Sequence, residues 1–496
     1  MKHITLLFAF LCITFLLAAQ ENTGSIDLRK GPELDLFRDN NVPKIFGHDE
    51  SGYYTYAFDY RPAVEHLDQQ FQKTLRKQLK MSRDSRLRTM LGVCLFHDTI
   101  YMFTTEEHLK SKLLYVETID KNTLEQNHDD RLLMHVPHLA DWASDFDFVF
   151  SRQRDKLLVY SRLDALSEYI QDVHLMLFGE GLNLEWEAKQ KIIYPYNPPR
   201  SSIIKVSDVG DVYFISLLDD QTVRSLGSGL KNRYHMITAT ENGQIVNSYA
   251  LSLPDLYIRG VYIEPGENHT LMVSGFYSPS HIRGRIDGIF NFKLDNLTGE
   301  FQNTTMFDFN PEFLQEAISG YSSKNPGELF GFQMKELVRR NNGDFIMLAE
   351  NQYDQDFDAY QNIIASCFSK EGMHKWTRVI NKRQNVDPKY YFNHSSFYLH
   401  APKYSDTIYL LFNEKDKNEF LSPDKRLKAF SPNEKANLKV VSISPDGEIS
   451  NEMIYRKTSK RMKTPLPLES YDKLNNEMVM PIYRMKRYEY INITFN

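Results

Sequence analysis

A pattern of alternating apolar and polar residues recurs six times in this chain. Of all the features of the sequence, this repeat constrains the fold most. In each copy a polar turn leads into an apolar run, and a second apolar run follows after a connection. The first runs are 98–104, 155–161, 210–216, 269–274, 343–349 and 406–412, and the second runs are 113–120, 173–178, 234–239, 288–295, 362–368 and 438–443. Equivalent residues of successive copies are 55 to 74 positions apart. Short alternating runs are typical of β-strands, so each copy is predicted to be one antiparallel unit.

Turn residues close these units, as Asn-Gly at 242–243 and Asp-Gly at 446–447 show. Both pairs favour tight hairpins because they accept positive φ readily. Units of three or four strands at this spacing are typical of a β-propeller. Partial units occur around Gly52 and at 478–495. The sequence therefore predicts an all-β propeller with eight blades if the partial units are separate, or seven if they share a blade. Eight is preferred, and a large β-sandwich array is the alternative fold.

The longest step between copies contains an insertion near residues 311–332, where 312–318 has the pattern of a short helix.

The N-terminus has a basic start, an apolar run over 4–17 and small residues at Ala18 and Ala19. This run suits the core of a signal peptide and is too short to span a bilayer. We therefore expect a signal peptide over 1–19, a lead-in segment over 20–42 and one propeller domain over 43–496. Export by the Sec route would place the protein in the periplasm or outside the cell, with no membrane span.

Composition narrows the functional classes further. The formal net charge is −6 and the pI is about 6.2, which argues against nucleic acid as a partner. Cys94 and Cys367 are the cysteines outside the signal segment, and both lie in apolar strands. They could form a disulfide in an oxidising compartment, but two buried free thiols are the simpler interpretation.

Two regions of the chain carry a family resemblance. One comprises 350–353 (ENQY), 372–376 (GMHKW) and 380–384 (INKRQ), and the other is 412–418 (FNEKDKN). In these segments the chain resembles a group of uncharacterised exported β-propeller proteins of Bacteroidetes. The resemblance implies the fold and export, and it implies no activity.

The first candidate site is a metal site at Asp354, Asp356 and Asp358. Carboxylates at alternate positions offer oxygen ligands of the kind that Ca²⁺ takes in calcium-binding loops. However, Ala359 stands where the turn glycine of an EF-hand loop would be, and Ala365 stands at the closing glutamate position. A solvated acidic loop is the competing interpretation, and Ca²⁺ is the one cofactor that the sequence suggests.

The second candidate site surrounds Trp142, with Asp141, Asp145 and Asp147 beside it. The aromatic ring could stack on a sugar while the carboxylates accept hydrogen bonds from its hydroxyls. Alternatively, aspartates before a strand commonly serve turns.

The third candidate site is Glu350, with Asn413 and Glu414 at the equivalent place one unit later. Equivalent strand ends gather on one propeller face, so these groups are predicted to line a common binding surface, or else to satisfy backbone groups at strand ends.

The sequence contains no nucleophile elbow, Walker loop, zinc-protease motif or dinucleotide fingerprint. This favours a binding or scaffold propeller whose partner is a protein or a glycan. The alternative is an extracellular glycan hydrolase or lyase with carboxylates meeting at the central funnel.

Overall fold

The computed structural model describes residues 26–496 apart from 37–41, 58–61, 84, 109–110, 138–144, 165–169, 194–201, 218–233, 241–242, 283, 319–327, 356, 386–393, 422–424, 458–462 and 485. Across these residues the strands form eight antiparallel blade sheets, numbered here as blades 1 to 8 in chain order, and two separate two-stranded sheets. The chain is an eight-bladed β-propeller, as the repeat predicts. The six first runs of the repeat are the second strands of blades 2 to 7, and the second runs are their third strands.

Blades 1 to 4 each have four strands in sequential order. Their bounds are Lys44–Asp49, Gly52–Ala57, Ala63–Asp68 and Lys73–Gln78 in blade 1; Thr89–Phe96, Thr99–His108, Ser111–Ile119 and Arg131–Pro137 in blade 2; Asp145–Phe150, Leu157–Asp164, Ile170–Phe178 and Leu184–Ile193 in blade 3; and Ser202–Val206, Val212–Leu217, Tyr234–Ala239 and Ile245–Leu251 in blade 4. The short strands Ser82–Arg83 and Arg86–Leu87 pair with each other between blades 1 and 2.

Blades 5 to 7 keep the same order with small additions, whereas in blade 8 the two short strands both pair with Glu477–Arg484. Their bounds are Tyr257–Pro265, Thr270–Ser278, Gly288–Asp295 and Phe301–Asp308 in blade 5; Phe332–Arg339, Phe345–Gln355, Phe357–Phe368 and His374–Ile380 in blade 6; Tyr398–His400, Ile408–Lys415, Ala436–Ile443 and Ile449–Lys457 in blade 7; and Thr464–Pro465, Tyr471–Asp472, Glu477–Arg484 and Arg487–Phe495 in blade 8. The additions are the pair Arg285–Ile286 and Leu329–Phe330, and Gln384–Asn385 beside blade 6.

The described helices are few. The α-helix Pro311–Ile318 confirms the predicted insertion between blades 5 and 6. The 3₁₀ turns are Glu180–Leu182, Asp416–Phe420 and Pro467–Glu469. Over the part of the chain that the structure describes, none of the helices has the length and apolar character that crossing a membrane requires.

The ring is closed by pairing the two ends of the described chain. Ile26–Lys30 runs antiparallel to Arg487–Phe495, with Ile26 opposite Phe495, and so becomes the outermost strand of blade 8. Leu34–Asp35 extends the same edge. Part of the segment 20–42, which the sequence presented as a lead-in, is thus built into the last blade. The partial unit at 478–495 gains its fourth strand from this segment.

An apolar cluster fills each of the eight junctions between neighbouring blades. Blade 2 illustrates why the central strands are apolar on both faces. Met102 packs toward blade 1, whereas its neighbour Phe103 packs toward blade 3, because successive side chains of a strand point to opposite faces. A strand buried on both faces needs a continuous apolar run rather than an apolar–polar alternation.

Two turn glycines show how blades fit together at their outer edges. Gly447 has φ 81°, and a Cβ atom there would lie 2.7 Å from the ring of Trp376 on the preceding blade. Gly243 has φ 69° and is equally close to the ring of Trp186, one blade before it. The hairpin glycines therefore serve the turn and also leave room for a tryptophan.

Cys94 and Cys367 are buried, unpaired and located in different blades, 2 and 6.

Candidate functional site

A cavity of about 530 Å³ lies among the innermost strands of the ring. Its wall comes from the first strands and following turns of blades 3 to 8, with Tyr360 from a third strand. The aromatic wall residues are Phe150, Tyr360, Phe397 and Tyr398. The charged wall residues are Arg152, Lys205, Asp208, Glu264, Lys335, Glu336, Arg339 and Asp472. A volume of 300 to 1,000 Å³ is usual for small-molecule sites, so this central channel has the capacity for a ligand.

A contact across the ring bounds the channel on the side of blades 1 and 2. Arg154, in the turn of blade 3, donates a hydrogen bond to Tyr471 Oη of blade 8 at 3.2 Å. His48 Nδ1 of blade 1 lies 3.2 Å from the same oxygen. Blades 3 and 8 are not neighbours, so this contact spans the centre. It explains why the cavity wall draws on six blades rather than eight.

The most concentrated polar group in the channel is called here the channel cluster: Lys205, Tyr262, Glu264 and Glu336. Lys205 Nζ lies 3.3 Å from a Glu264 oxygen and 3.2 Å from a Glu336 oxygen. Tyr262 donates a hydrogen bond of 3.4 Å to the other Glu336 oxygen. One ammonium group therefore stands between two carboxylates from blades 5 and 6.

Burial and charge set the proton affinities in the channel cluster. Burial raises the pKa of Glu264, and Glu336 contributes to the rise while Lys205 opposes it. Burial alone would lower the pKa of Lys205, but the two carboxylates outweigh that effect and hold it above its usual value. The Glu336 side chain is 34% exposed and the Glu264 side chain 8%, so the two acids differ in access to solvent.

Strand register explains how the cluster assembles. Lys205 pairs with Tyr213 in blade 4, and Glu264 pairs with Met272 in blade 5. Tyr213 and Met272 are equivalent, because each is the fourth residue of its apolar run, 210–216 and 269–274. A β-bulge between Met334 and Glu336 adjusts the register in blade 6. Equivalent positions of innermost strands converge on the axis, so charges that are far apart in sequence meet there.

The predicted residues Glu350 and Asn413 belong to a second assembly, called here the sealed network: Glu350, Lys382, Gln384, Ser396 and Asn413. Lys382 Nζ forms an ion pair of 2.6 Å with Glu350 and donates a hydrogen bond of 2.9 Å to Gln384. Ser396 donates to Glu350 at 2.6 Å, and Gln384 donates to the Asn413 carbonyl at 2.8 Å. The side chains of Lys382 and Glu350 are 1% and 0% exposed.

The sealed network joins blades, and of its members Ser396 also lines the cavity. Asn413 Nδ2 donates to the carbonyls of His394 at 3.1 Å and Pro465 at 3.0 Å. Glu414 is also buried, and its ion pair with Lys439 is 3.5 Å long. Burial raises the pKa of Glu414, against the effect of Lys439. The structure thus brings Glu350 and Asn413 together as the repeat suggests, but beneath the surface, because Asn413 and Ser396 satisfy inner polar groups.

The other candidates fall wholly or partly outside the described residues. Trp142 and Asp356 lie outside them, and for Asp145, Asp354 and Asp358 the backbone alone is described. Asp145 begins the first strand of blade 3. Asp354 and Asp358 are opposite each other in a hairpin between two long strands of blade 6. Among the side chains that are described, no group of three or more His, Cys, Asp or Glu is placed to hold a metal ion.

Sequence reasoning missed the channel residues. Lys205, Glu264 and Glu336 lie in the first strands of their blades, which precede the apolar runs that define the repeat. The available signal was a charged residue beside core positions, such as Glu264 directly after the buried Ile263. If each repeat unit is taken to begin one strand earlier, these charges fall on the innermost strand of each blade, next to the propeller axis.

Fold and cavity together define the chain as a β-propeller with a ligand-sized central channel. No family model matches the sequence, and neither does any curated protein. Among solved structures, the chain is similar to the WD40 domain of SCAP from fission yeast, with 9% identity over 95% of this chain and 98% of that one, at a TM-score of 0.41.

It is also similar to oligogalacturonate lyase in complex with manganese, with 13% identity, 94% and 98% coverage and a TM-score of 0.38. Prolyl oligopeptidase B from Galerina marginata matches at 8% identity over 92% of this chain and 55% of that one, at a TM-score of 0.40. These neighbours are β-propeller proteins. Identities and TM-scores of this size carry no inference about activity.

Proposed function

We propose that this chain is a binding protein that takes a small polar ligand, a sugar or short glycan, into its central channel. The observation that carries the proposal is the cavity of about 530 Å³, in which polar groups of several blades converge beside aromatic rings. Hydroxyl groups need donors and acceptors, which the channel cluster supplies, and sugar rings stack on aromatic faces such as Phe397 and Tyr398.

The test is calorimetric titration of the mature protein with neutral and acidic mono- and disaccharides, using wild type and E336Q. Glu336 is partly exposed in the channel, so we expect E336Q to fold normally and to lose at least about tenfold in affinity, the effect of one charged hydrogen-bonding group. The matched control is E300Q, on the exposed outer turn of blade 5. Equal affinities of E336Q and E300Q would place binding outside the channel.

Hydrolysis of a glycan is the second candidate function, and the pairing of Glu264 with Glu336 favours it. An acid with a raised pKa beside a second carboxylate is the arrangement that glycoside hydrolysis uses. Release of reducing ends from a glycan panel is the measurement. If the pair is catalytic, E264Q and E336Q each reduce turnover by about a hundredfold or more while E300Q retains it. No turnover by wild type on any glycan leaves binding as the function.

We also propose that the protein is exported by the Sec route, on the strength of the apolar segment 4–17, which lies outside the described residues. Expression in a bacterial host followed by mass measurement of the periplasmic protein tests this. Loss of residues 1–19 is the expected result. A cytoplasmic product that retains Met1 to Ala19 would contradict it.

A further inference from the structure

Two arginines line the channel near the turns that follow its first strands. Arg152 comes two residues after the first strand of blade 3, and Arg339 ends the first strand of blade 6. Within the described residues Arg152 has no hydrogen bond and no ion pair. The ion pairs of Arg339 are long, 3.6 Å to Glu267 and 4.0 Å to Asp208, and its Nη1 atom is buried without a hydrogen-bond partner.

A buried guanidinium nitrogen without a hydrogen-bond partner, such as Nη1 of Arg339, is unusual. A guanidinium carries five N–H donors, and buried donors in proteins are almost always paired. Asp208 supplies some counter-charge, but its oxygen lies 4.0 Å from Arg339 Nη2, and its other oxygen accepts the backbone N–H of Gln153 at 2.9 Å. Burial lowers the pKa of Arg152; the charge of Glu264 opposes that effect, and the nearby charge of Arg339 lowers the pKa further. The two guanidinium groups therefore face the channel with Glu264 and Asp208 nearby, but neither acid forms a short ion pair with them.

The other acids in and beside the channel have closer partners than the two arginines. Glu264 and Glu336 share Lys205, and Asp472 lies 3.0 Å from His400 Nδ1. Glu350 belongs to the sealed network, where Lys382 and Lys335 both contact it. An anionic group brought by a ligand would therefore meet the two arginines without displacing an existing short ion pair.

We propose that Arg152 and Arg339 bind an oxyanion of the channel's ligand, and that this ligand is an acidic sugar carrying a carboxylate. The inference rests on the proposed function and narrows its ligand class. The planar fork of a guanidinium matches the two oxygens of a carboxylate, which makes arginine the usual partner for that group. The channel cluster lies in the same cavity and offers donors and acceptors to the ring hydroxyls.

The test is calorimetric titration of the full mature chain with D-galacturonate, D-glucuronate, D-galactose and sodium sulfate. We expect at least one uronate to bind at least about tenfold more tightly than galactose and sulfate, since only a uronate engages both the arginines and the channel cluster. R152Q and R339Q should each reduce uronate affinity about tenfold or more and leave galactose binding unchanged. R487Q is the matched control, because Arg487 is 63% exposed at the outer edge of blade 8.

The outcomes separate the two levels of the proposal. Galactose binding as tight as uronate binding, or R152Q behaving like R487Q, overturns the anion site while the channel remains a sugar site. Sulfate binding as tight as uronate binding overturns the sugar class in favour of a simple oxyanion. Absence of binding for every probe and for neutral disaccharides overturns the proposed function itself. Thermal unfolding checks that each variant is folded. If R339Q does not fold, R152Q alone tests the anion site, because Arg152 has no hydrogen bond or ion pair to lose within the described residues.

Discussion

The sealed network and the channel cluster are built from the same residue types, yet they sit in opposite environments. In the sealed network Lys382 and Glu350 are almost wholly inaccessible, and the hydrogen bonds of Ser396 to Glu350 and of Gln384 to Asn413 join blade 6 to blade 7. In the channel cluster Lys205 and Glu336 remain 24% and 34% exposed, with a cavity in front of them. Charges that face only protein serve to hold blades together, whereas charges that face an open space are available to a ligand.

The largest difference between the two regions should appear in stability. E350Q removes the counter-charge of a fully buried ammonium group, which is expected to cost about 3 kcal/mol or more in unfolding free energy. Chemical denaturation followed by circular dichroism measures this. A loss below about 1 kcal/mol would mean that the network is not a blade-joining element.

A double variant sharpens that result. The double variant E350L/K382M removes both charges together. It should recover at least half of the unfolding free energy that E350Q loses, because no buried charge is left unpaired. Burial already lowers the pKa of Lys382, against the effect of Glu350, so its charged form depends on that carboxylate. Additive losses in the double variant would contradict the pairing.

An acid-dependent loss of stability is expected beside the sealed network. The carbonyl of His394 accepts a hydrogen bond from Asn413, and burial lowers the pKa of the His394 ring from 6.5 to about 4. The unfolded chain therefore binds the proton more readily between these values. Stability should fall as the pH drops from 6.5 to 4, by at most about 1.4 kcal/mol per pH unit, and H394Q should reduce that slope. Identical slopes for the two proteins would count against the buried neutral ring.

The channel cluster should show the opposite sign. The raised pKa of Glu264 means that the folded state binds its proton more tightly than the unfolded chain does, whose ordinary value is 4.5. Stability should therefore fall as the pH rises from 4.5 through the raised folded value, again by at most about 1.4 kcal/mol per pH unit. E264Q removes this contribution. Denaturant unfolding of both proteins at pH 4 to 8 tests the sign, and a stability difference that does not vary with pH would contradict it.

The smallest effect on stability is expected for E336Q. Glu336 is partly exposed and Lys205 keeps Glu264 as a partner, so the loss should be under about 1 kcal/mol, close to that of E300Q. A loss comparable to that of E350Q would erase the distinction between the two regions, because it would make the channel charges structural.

The sequence determined much of the fold and little of the site. The apolar second and third strands were recognisable because both of their faces are buried, and the helix at 311–318 because its period differs from theirs. The closing strand Ile26–Lys30 was not recognised, since three of its five residues are charged and its role depends on pairing with Arg487–Phe495. The repeat places Glu350 and Asn413 at equivalent positions of two blades. It does not place Lys382 and Ser396, on which the burial of those two residues depends. Arg152, Lys205 and Glu264 become neighbours only when the ring closes.

The central claim is that the channel, and not the sealed network, receives a ligand. A crystal structure of the mature protein soaked with D-galacturonate tests this most directly. The account predicts electron density for the sugar in the channel, with its carboxylate against Arg152 and Arg339 and its hydroxyls toward Lys205 and Glu336. Density for the sugar at another surface, with the channel free of it, would contradict the account.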